Sequence, residues 1–325
     1  MKLVIIIPAY NEEIHIVNTL NKIPSEIEGI EDIQVIVIDD GSTDSTARVA
    51  LDSGKAEVIS YKKNRGVGYA FRKGINAALK AGANIIVNLD ADGQFDPKDI
   101  EKLIKPILNG NADMVTGSRF IIKQKTPNFS FTKRVGNKIF TKAVNFLTGE
   151  KFTDTQCGFR AYSREAALKL NLFGDFTYTQ EVFLDLMYKG MRIEEIPVSV
   201  VYKENRKSRV VKNPFNYGIK ALLIMLRTIR DMYPLKFFGI IGSIIFSSGF
   251  VMGAFLLIRW ALIRRVSPYT SMVQLSAVLL IVGFLCIVLA LIADMLGRQK
   301  RIQEEILYYN KLKTFEKKRG ENFEK

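Results

Sequence analysis

Across residues 1–116, short β-rich runs alternate with stretches whose apolar positions recur every three to four residues. The runs at 3–7, 33–38, 56–60 and 84–89, rich in Ile and Val, and the run at 112–116 have strand length. The stretches at 12–23, 43–53, 67–81 and 97–109 carry the helical period. This alternation predicts a parallel sheet with helices on both faces. Ser42 and Thr43 stand where they would cap the second helix, with Asp44 in its first turn. Asn64-Arg65-Gly66 opens the third helix, whose N-terminus could seat a phosphate. A later run at 193–201 reads as another strand. Beyond residue 233 the pattern changes. Residues 237–258 and 272–293 carry no charge, and each run is long enough to cross ~30 Å of hydrocarbon as a helix. Soluble core helices rarely avoid charge for that length, so two membrane spans are expected. Just before them, residues 213–233 set Phe215, Ile219, Leu222, Leu223, Leu226 and Ile229 against Lys220, Arg227 and Arg230. That pattern suits a helix in the headgroup plane, or one packed on the preceding domain.

Charge sharpens this picture. The chain has 325 residues, of which 47 are basic and 33 acidic, a net charge of +14. Such a balance suits nucleic acid, an anionic membrane or a phosphorylated substrate, and the two apolar runs favour the last two over nucleic acid. No leader is expected ahead of Met1, because the short apolar N-terminus runs straight into a polar motif and reads as a strand. The N-terminal portion is therefore expected on the cytoplasmic side, with two spans returning the C-terminus there. Arg298, Lys300, Arg301, Lys311, Lys313, Lys317, Lys318 and Arg319 agree with that orientation, while Arg259, Arg264 and Arg265 in the connecting loop oppose it. Cys157 and Cys286 are expected as free thiols, Cys157 as a packing residue, and the lone histidine, His15, as a residue on the outer face of the first helix. One histidine excludes His-rich metal sites and disfavours a His-dependent triad.

Three polar clusters follow three successive strands. Pro8-Ala9-Tyr10-Asn11-Glu12 follows the first, Asp39-Asp40-Gly41-Ser42-Thr43-Asp44 the second, and Asp90-Ala91-Asp92 the run at 84–89. An isolated Asp-x-Asp is commonly turn material. With two companions at the carboxyl edge of one sheet, Asp90 and Asp92 are expected to converge on a hard cation in a ligand crevice. No Gly-x-Gly-x-x-Gly follows the first strand and no Walker sequence is present, which disfavours dinucleotide dehydrogenases and P-loop enzymes. Residues 119–149 hold Arg119, Lys123, Lys125, Lys133, Arg134, Lys138 and Lys142 and no acidic residue. They form either a solvated face or an anion-receiving loop leading into a basic helix.

Together with Asp90-Ala91-Asp92-Gly93-Gln94 and Gly117-Ser118-Arg119, these motifs occur in the order of the family 2 glycosyltransferases, which the chain resembles. Adding Asp154…Gly158-Phe159, Glu195-Ile196-Pro197-Val198, Ser208-Arg209 and the two apolar runs, it is similar to polyprenyl- or dolichyl-phosphate hexose synthases, of the dolichyl-phosphate mannose or glucose synthase type. The resemblance spans nearly the whole chain. It implies an α/β, GT-A (Rossmann-like) glycosyltransferase domain, then an amphipathic interfacial helix and two C-terminal transmembrane helices. The boundaries would be a cytoplasmic catalytic domain at 1–212, the juxtamembrane helix at 213–233, the hairpin at 234–296 and a basic cytoplasmic tail at 297–325. It also implies inverting, metal-dependent transfer of a hexose from a nucleotide sugar to a polyprenyl or dolichyl monophosphate. Pro8, Tyr10 and Glu12 would line the base and ribose pocket, with Ile38, Asp39 and Asp40 at the base. Asp90, Ala91, Asp92 and Gln94 would surround the diphosphate, Asp90, Asp92 and Gln94 being the positions around Mg²⁺ or Mn²⁺. Asp90, Asp92 and Arg119 would be catalytic, Arg119 matching an arginine that reaches toward the diphosphate. Lys133, Asn137, Lys203, Arg206, Ser208 and Arg209 would receive the acceptor phosphate. The family commonly carries an Arg ahead of a Gly-x-Ser-Lys/Arg stretch; in this chain Lys203 stands at the Arg position and Arg206 at the glycine.

Two rivals bear comparison. A processive polysaccharide synthase would need more spans and a Gln-x-x-Arg-Trp stretch, whereas the only tryptophan, Trp260, lies between the spans. A non-catalytic nucleotide-sugar-binding scaffold would not require Asp90, Asp92 and Gln94. The partners expected are a nucleotide sugar, polyprenyl or dolichyl phosphate and a lipid bilayer, with no nucleic acid; homo-oligomerisation stays open.

Overall fold

The computed structural model describes residues 1–121, 131–172, 178–200, 226, 230 and 233–323. Seven strands form one sheet: β1 (Lys2–Ala9), β2 (Asp32–Asp39), β3 (Glu57–Ser60), β4 (Ile85–Asn88), β5 (Met114–Ser118), β6 (Arg160–Ser163) and β7 (Ile193–Pro197). Their order is β3-β2-β1-β4-β6-β5-β7. Leu3 to Ile7 of β1 are wholly buried, which explains an apolar run without alternation: a central parallel strand is covered on both faces. β1 pairs in parallel with β2 and β4, but β6 runs antiparallel to both β4 and β5. The sheet is therefore mixed, where the alternation at 1–116 predicts a parallel one. Arg160-Ala161-Tyr162-Ser163 has no strand periodicity of its own; pairing on both sides makes it a strand.

The helices of this unit are α1 (Ile16–Asn21), α2 (Thr46–Asp52), α3 (Val67–Lys80), α4 (Ile100–Leu108), α5 (Phe131–Thr148), α6 (Arg164–Lys169) and α7 (Thr179–Tyr188). α1 and α2 start later than the apolar periodicity suggests. Asn11 takes φ of 55°, and the Glu12 carbonyl accepts from the N–H groups of His15 and Ile16, so residues 11–15 are turn. Ser42 and Thr43 do not cap α2, which begins at Thr46. The Ser42 hydroxyl accepts from the Asn11 N–H at 2.9 Å, and the Thr43 N–H donates to Asn11 Oδ1 at 2.8 Å. Both residues tie the first two loops together instead, and Asp44 Oδ1 accepts from the Thr46 N–H. α3 lies against β1 because residue 74 is glycine; a Cβ there would sit 2.9 Å from Ile6 Cδ1.

The chain divides into two units, one of Met1–Leu222 with Leu307–Lys325 and one of Leu223–Ile306. Most of the helix expected at 213–233 lies outside the described residues. The second unit is built on two long helices, Pro234–Ile263 and Thr270–Phe323, both long and apolar enough to cross a membrane. In each, only 17% of the most apolar window is buried, unlike a soluble core helix. The pair packs through small residues: a Cβ on Gly249 would lie 2.9 Å from Leu279 Cβ, and the Ser276 hydroxyl donates to the Gly249 carbonyl at 3.0 Å. The residues expected as a basic tail at 297–325 continue the second helix to Phe323. Its end belongs to the first unit, where Lys311 Nζ donates to the Leu170 carbonyl at 2.9 Å and to Asn171 Oδ1 at 2.8 Å.

Candidate functional site

Adjacent parallel strands deliver their following loops to one sheet edge. Registers of Ala9 with Asp39 and Ile6 with Asn88 bring Tyr10-Asn11-Glu12, Asp39-Asp40 and Asp90-Ala91-Asp92 side by side. Pro8 pairs with Ile38 in the ladder itself. Tyr10 is exposed, whereas Glu12, Asp39 and Asp40 are buried. The Glu12 N–H donates to Thr46 Oγ1 at 2.7 Å, and Asp39 Oδ1 accepts from the Ser42 N–H at 3.1 Å. Asp40 receives the N–H groups of Arg65 at 3.0 Å and Gly66 at 2.7 Å. Burial pushes the Asp40 carboxyl above its usual range, Asp39 adds to that, and the two N–H donors oppose it without cancelling it. The anion at the start of α3 is thus Asp40 itself, where the sequence suggests room for a phosphate. Gly41 makes this possible: at φ of 73°, a Cβ would lie 2.6 Å from the Lys63 carbonyl carbon.

Asp90, Asp92 and Gln94 are half-buried just past β4. Asp92 Oδ1 accepts from the Gln94 N–H at 3.0 Å, a turn that keeps the two residues together. The Asp90 carboxylate packs against Gly158, where an added Cβ would lie 3.0 Å from Oδ2 and 3.1 Å from Oδ1. Gly158 is held from beneath, its carbonyl accepting from Asn88 Nδ2 at 2.8 Å. Asn88 is fully buried and also donates to the Tyr178 hydroxyl at 3.0 Å. Burial, followed by the Asp90 charge, raises the Tyr178 hydroxyl well above its usual value, so it stays protonated. Gly158→Ala is expected to displace the Asp90 carboxylate while leaving the core intact, lowering kcat by roughly 10- to 100-fold. Steady-state kinetics beside a thermal melt test this; wild-type kcat would contradict it.

A second network braces the far side of the sheet edge. Arg119, after β5, forms a two-pronged ion pair with the fully buried Asp154, Nε to Oδ2 at 2.6 Å and Nη2 to Oδ1 at 2.9 Å. Asn137 Nδ2 donates to the same carboxylate at 2.7 Å. Burial pulls the Asp154 pKa upward, but Arg119 and Asn137 together outweigh it and hold the carboxyl below the usual range. Glu195 accepts from the N–H groups of Asp154 at 2.6 Å and Thr153 at 2.8 Å. Burial raises its pKa, opposed by those N–H donors. The structure therefore places Arg119 on Asp154, and places Asn137, buried, in the same network. Lys133 belongs to the first turn of α5 by its backbone. Lys203, Arg206, Ser208 and Arg209 lie outside the described residues. Cys157 is buried, its thiol pushed up to about 12 chiefly by burial, as suits a packing residue. His15 precedes the first residue of α1, half-buried, rather than lying on that helix's outer face.

Asn88 and Tyr178 are not among the site residues that the sequence predicts. Asn88 breaks an otherwise apolar strand, a signal that a polar side chain is wanted there. Tyr178 carries no local signal, because only the fold brings it under Gly158. Among the described residues no group of three or more His, Cys, Asp or Glu side chains converges as a metal cage. Two carboxylates and an amide oxygen are hard donors that fit a cation completed by substrate phosphates.

Comparison with known proteins agrees with this geometry. The model of Glycosyl transferase family 2 matches residues 4–170. The chain is 31% identical over 242 residues to the UDP-N-acetylglucosamine–dolichyl-phosphate N-acetylglucosaminyltransferase of Methanococcus voltae, covering 69% of this chain and 95% of that one. It is 29% identical to a dolichol-phosphate mannosyltransferase of Pyrococcus furiosus, covering 88% and 72% respectively. A solved structure of Mycobacterium tuberculosis glucosyl-3-phosphoglycerate synthase, with Mn²⁺ and UDP-glucose, superposes with a TM-score of 0.54 at 22% identity. It covers 69% of this chain and 78% of that one, and it shows the shared fold.

Proposed function

The chain belongs to glycosyl transferase family 2, and from that premise we propose that it transfers one hexose from a nucleotide sugar to a polyprenyl or dolichyl monophosphate. The observation that carries this reading is the convergence of Tyr10, Asp39, Asp40, Asp90 and Asp92 at one sheet edge in a chain with two apolar helices of membrane length. The activities for which the Methanococcus and Pyrococcus relatives are named support the lipid-phosphate acceptor, and they involve different sugars. The donor class is accordingly GDP-mannose, UDP-glucose or UDP-N-acetylglucosamine. In this reading the two long helices span the bilayer and the N-terminal unit is cytoplasmic, on the same side of the membrane as the basic residues 298–319.

Tyr10, Asp39 and Asp40 would bind the nucleoside, with Pro8, Glu12 and Ile38 shaping the pocket. Asp90, Asp92 and Gln94 would hold Mg²⁺ or Mn²⁺ on the diphosphate. That cation, when bound, offsets the charge that develops on the departing nucleoside diphosphate. Ala91 would join Asp90, Asp92 and Gln94 in binding the nucleotide sugar, and Arg119, fixed by Asp154, would set a positive charge at the end of β5 toward the diphosphate.

The acceptor needs no protein base. A phosphate monoester has a second pKa of ~6 and is already anionic at neutral pH. The chain need only orient that oxygen in line with the anomeric carbon and offset its charge, a task that falls to Lys133, Lys203, Arg206, Ser208 and Arg209. A single in-line displacement inverts the anomeric centre, so an α-linked donor should give a β-linked lipid phosphosugar. Transfer should decline as pH falls through ~6, where the acceptor takes up its proton. The protein in bilayers, supplied with polyprenyl phosphate and a panel of labelled nucleotide sugars, tests this by the product's anomeric coupling constant. An α-linked product, or a trapped glycosyl-enzyme, would overturn the single displacement.

A further inference from the structure

Among the described residues, Arg160 is the only basic side chain buried in the core, and it is buried completely. Its Nη1 donates to the Thr179 carbonyl and its Nη2 to the Thr155 carbonyl, both at 2.9 Å. The guanidinium carbon lies 4.7 Å from the centre of the Phe183 ring. These partners are neutral. Among the described residues Nε meets no acceptor, and no carboxylate forms an ion pair with this arginine. A buried cation ordinarily has an anion beside it, because taking its charge out of water is costly. The charge of Arg119 is matched by Asp154, and Glu195 stands on β7, two strands from β6.

The sheet supplies a carboxylate at longer range. Asn88 of β4 and Arg160 of β6 are paired in antiparallel register, so their side chains share one face. Continuing that register past the ladder sets Asp90 opposite Gly158, which is the close contact already seen. Arg160 is thus one strand over and two residues back from Asp90, with Cα atoms roughly 8 Å apart by sheet spacing. The buried Tyr178 hydroxyl feels both groups: burial and then the Asp90 charge raise its pKa, and Arg160 opposes them.

We propose that Arg160, without touching substrate, sets the charge balance of the donor site: its buried cation behind Asp90 weakens the hold of Asp90 and Asp92 on a divalent cation alone and strengthens the hold on a diphosphate. The inference rests on the reading of Asp90 and Asp92 as the cation's carboxylates. The cation is then held firmly only when the diphosphate is present to share it.

The test uses the full chain in nanodiscs of phosphatidylcholine, a lipid without net charge. Free Mn²⁺ is followed by electron paramagnetic resonance for wild type, Arg160→Met and Arg160→Lys, and the binding abolished by Asp92→Asn defines the site. Inorganic pyrophosphate is then titrated calorimetrically at saturating Mn²⁺. Arg160→Met should bind Mn²⁺ alone roughly ten-fold more tightly and pyrophosphate roughly ten-fold more weakly. Arg160→Lys keeps the charge but loses the fork that bridges Thr155 and Thr179. Its melting temperature should fall while both affinities stay near those of wild type, and this variant carries the test if Arg160→Met does not fold. A purely structural clamp would make both affinities weaken together in both variants. That result would overturn the proposal. Mn²⁺ binding that Asp92→Asn abolishes but Arg160→Met leaves unchanged would overturn this inference alone. Mn²⁺ binding indifferent to Asp92→Asn would overturn it together with the metal-site reading.

Discussion

Asp92→Asn is expected to reduce sugar transfer by roughly a thousand-fold, equivalent to about 4 kcal/mol of transition-state stabilisation. The substitution is nearly isosteric. An asparagine oxygen can still accept the Gln94 N–H that Asp92 Oδ1 receives at 3.0 Å, so the turn after β4 survives. What disappears is one of the two negative charges that would hold the cation on the diphosphate. Turnover of the membrane-embedded variant, with a thermal melt to show an unchanged fold, measures the effect. Near-normal turnover, or full wild-type activity in excess EDTA, would remove the metal-binding role from Asp90 and Asp92.

Asp154→Ala should be the most destabilising single change near the site, at about 3–5 kcal/mol, because it strands a partly buried guanidinium. Arg119 loses both prongs of its ion pair, and Asn137 and the Gln156 N–H lose their acceptor at the same stroke. The pH dependence follows from the lowered pKa. Burial raises it, but Arg119 and Asn137 more than compensate. A depressed carboxyl contributes its full stabilisation above the unfolded value of ~3.9 and loses it as pH falls through the folded one. The gap between wild type and Asp154→Asn in thermal melts should therefore be constant near neutrality and shrink only in strong acid. A gap of under ~0.5 kcal/mol at neutral pH would show that the pair carries little.

The strands that the sequence reveals most clearly are those buried on both faces. β1, β2 and β4 read as largely apolar runs, and the polar clusters that follow them are the residues that meet at the sheet edge. β6 escapes notice because Arg160 to Ser163 owe their extended state to strands on either side. Helix starts are misplaced for a related reason. Ser42, Thr43 and Asp44 have capping chemistry, but a left-handed Asn11 reaches across from the first loop and takes two of them as partners. The parts of the site visible in sequence are charges at strand ends, Asp90 and Asp92 above all. The hidden parts are neutral supports such as Asn88 and Tyr178, whose relation to Asp90 passes through the Gly158 backbone. Arg119 is legible as a site residue, but its hold on Asp154, thirty-five positions later, is not.

That a polyprenyl monophosphate is the acceptor can be tested by substituting the acceptor headgroup. The protein in bilayers would receive a panel of labelled nucleotide sugars with a divalent cation, together with either polyprenyl phosphate or the corresponding polyprenol. Labelled, organic-soluble product is expected from one donor with polyprenyl phosphate and none with the alcohol, since only the phosphate brings its own ionised nucleophile. Equal product from both lipids, or label appearing only in a water-soluble polymer, would contradict the assignment.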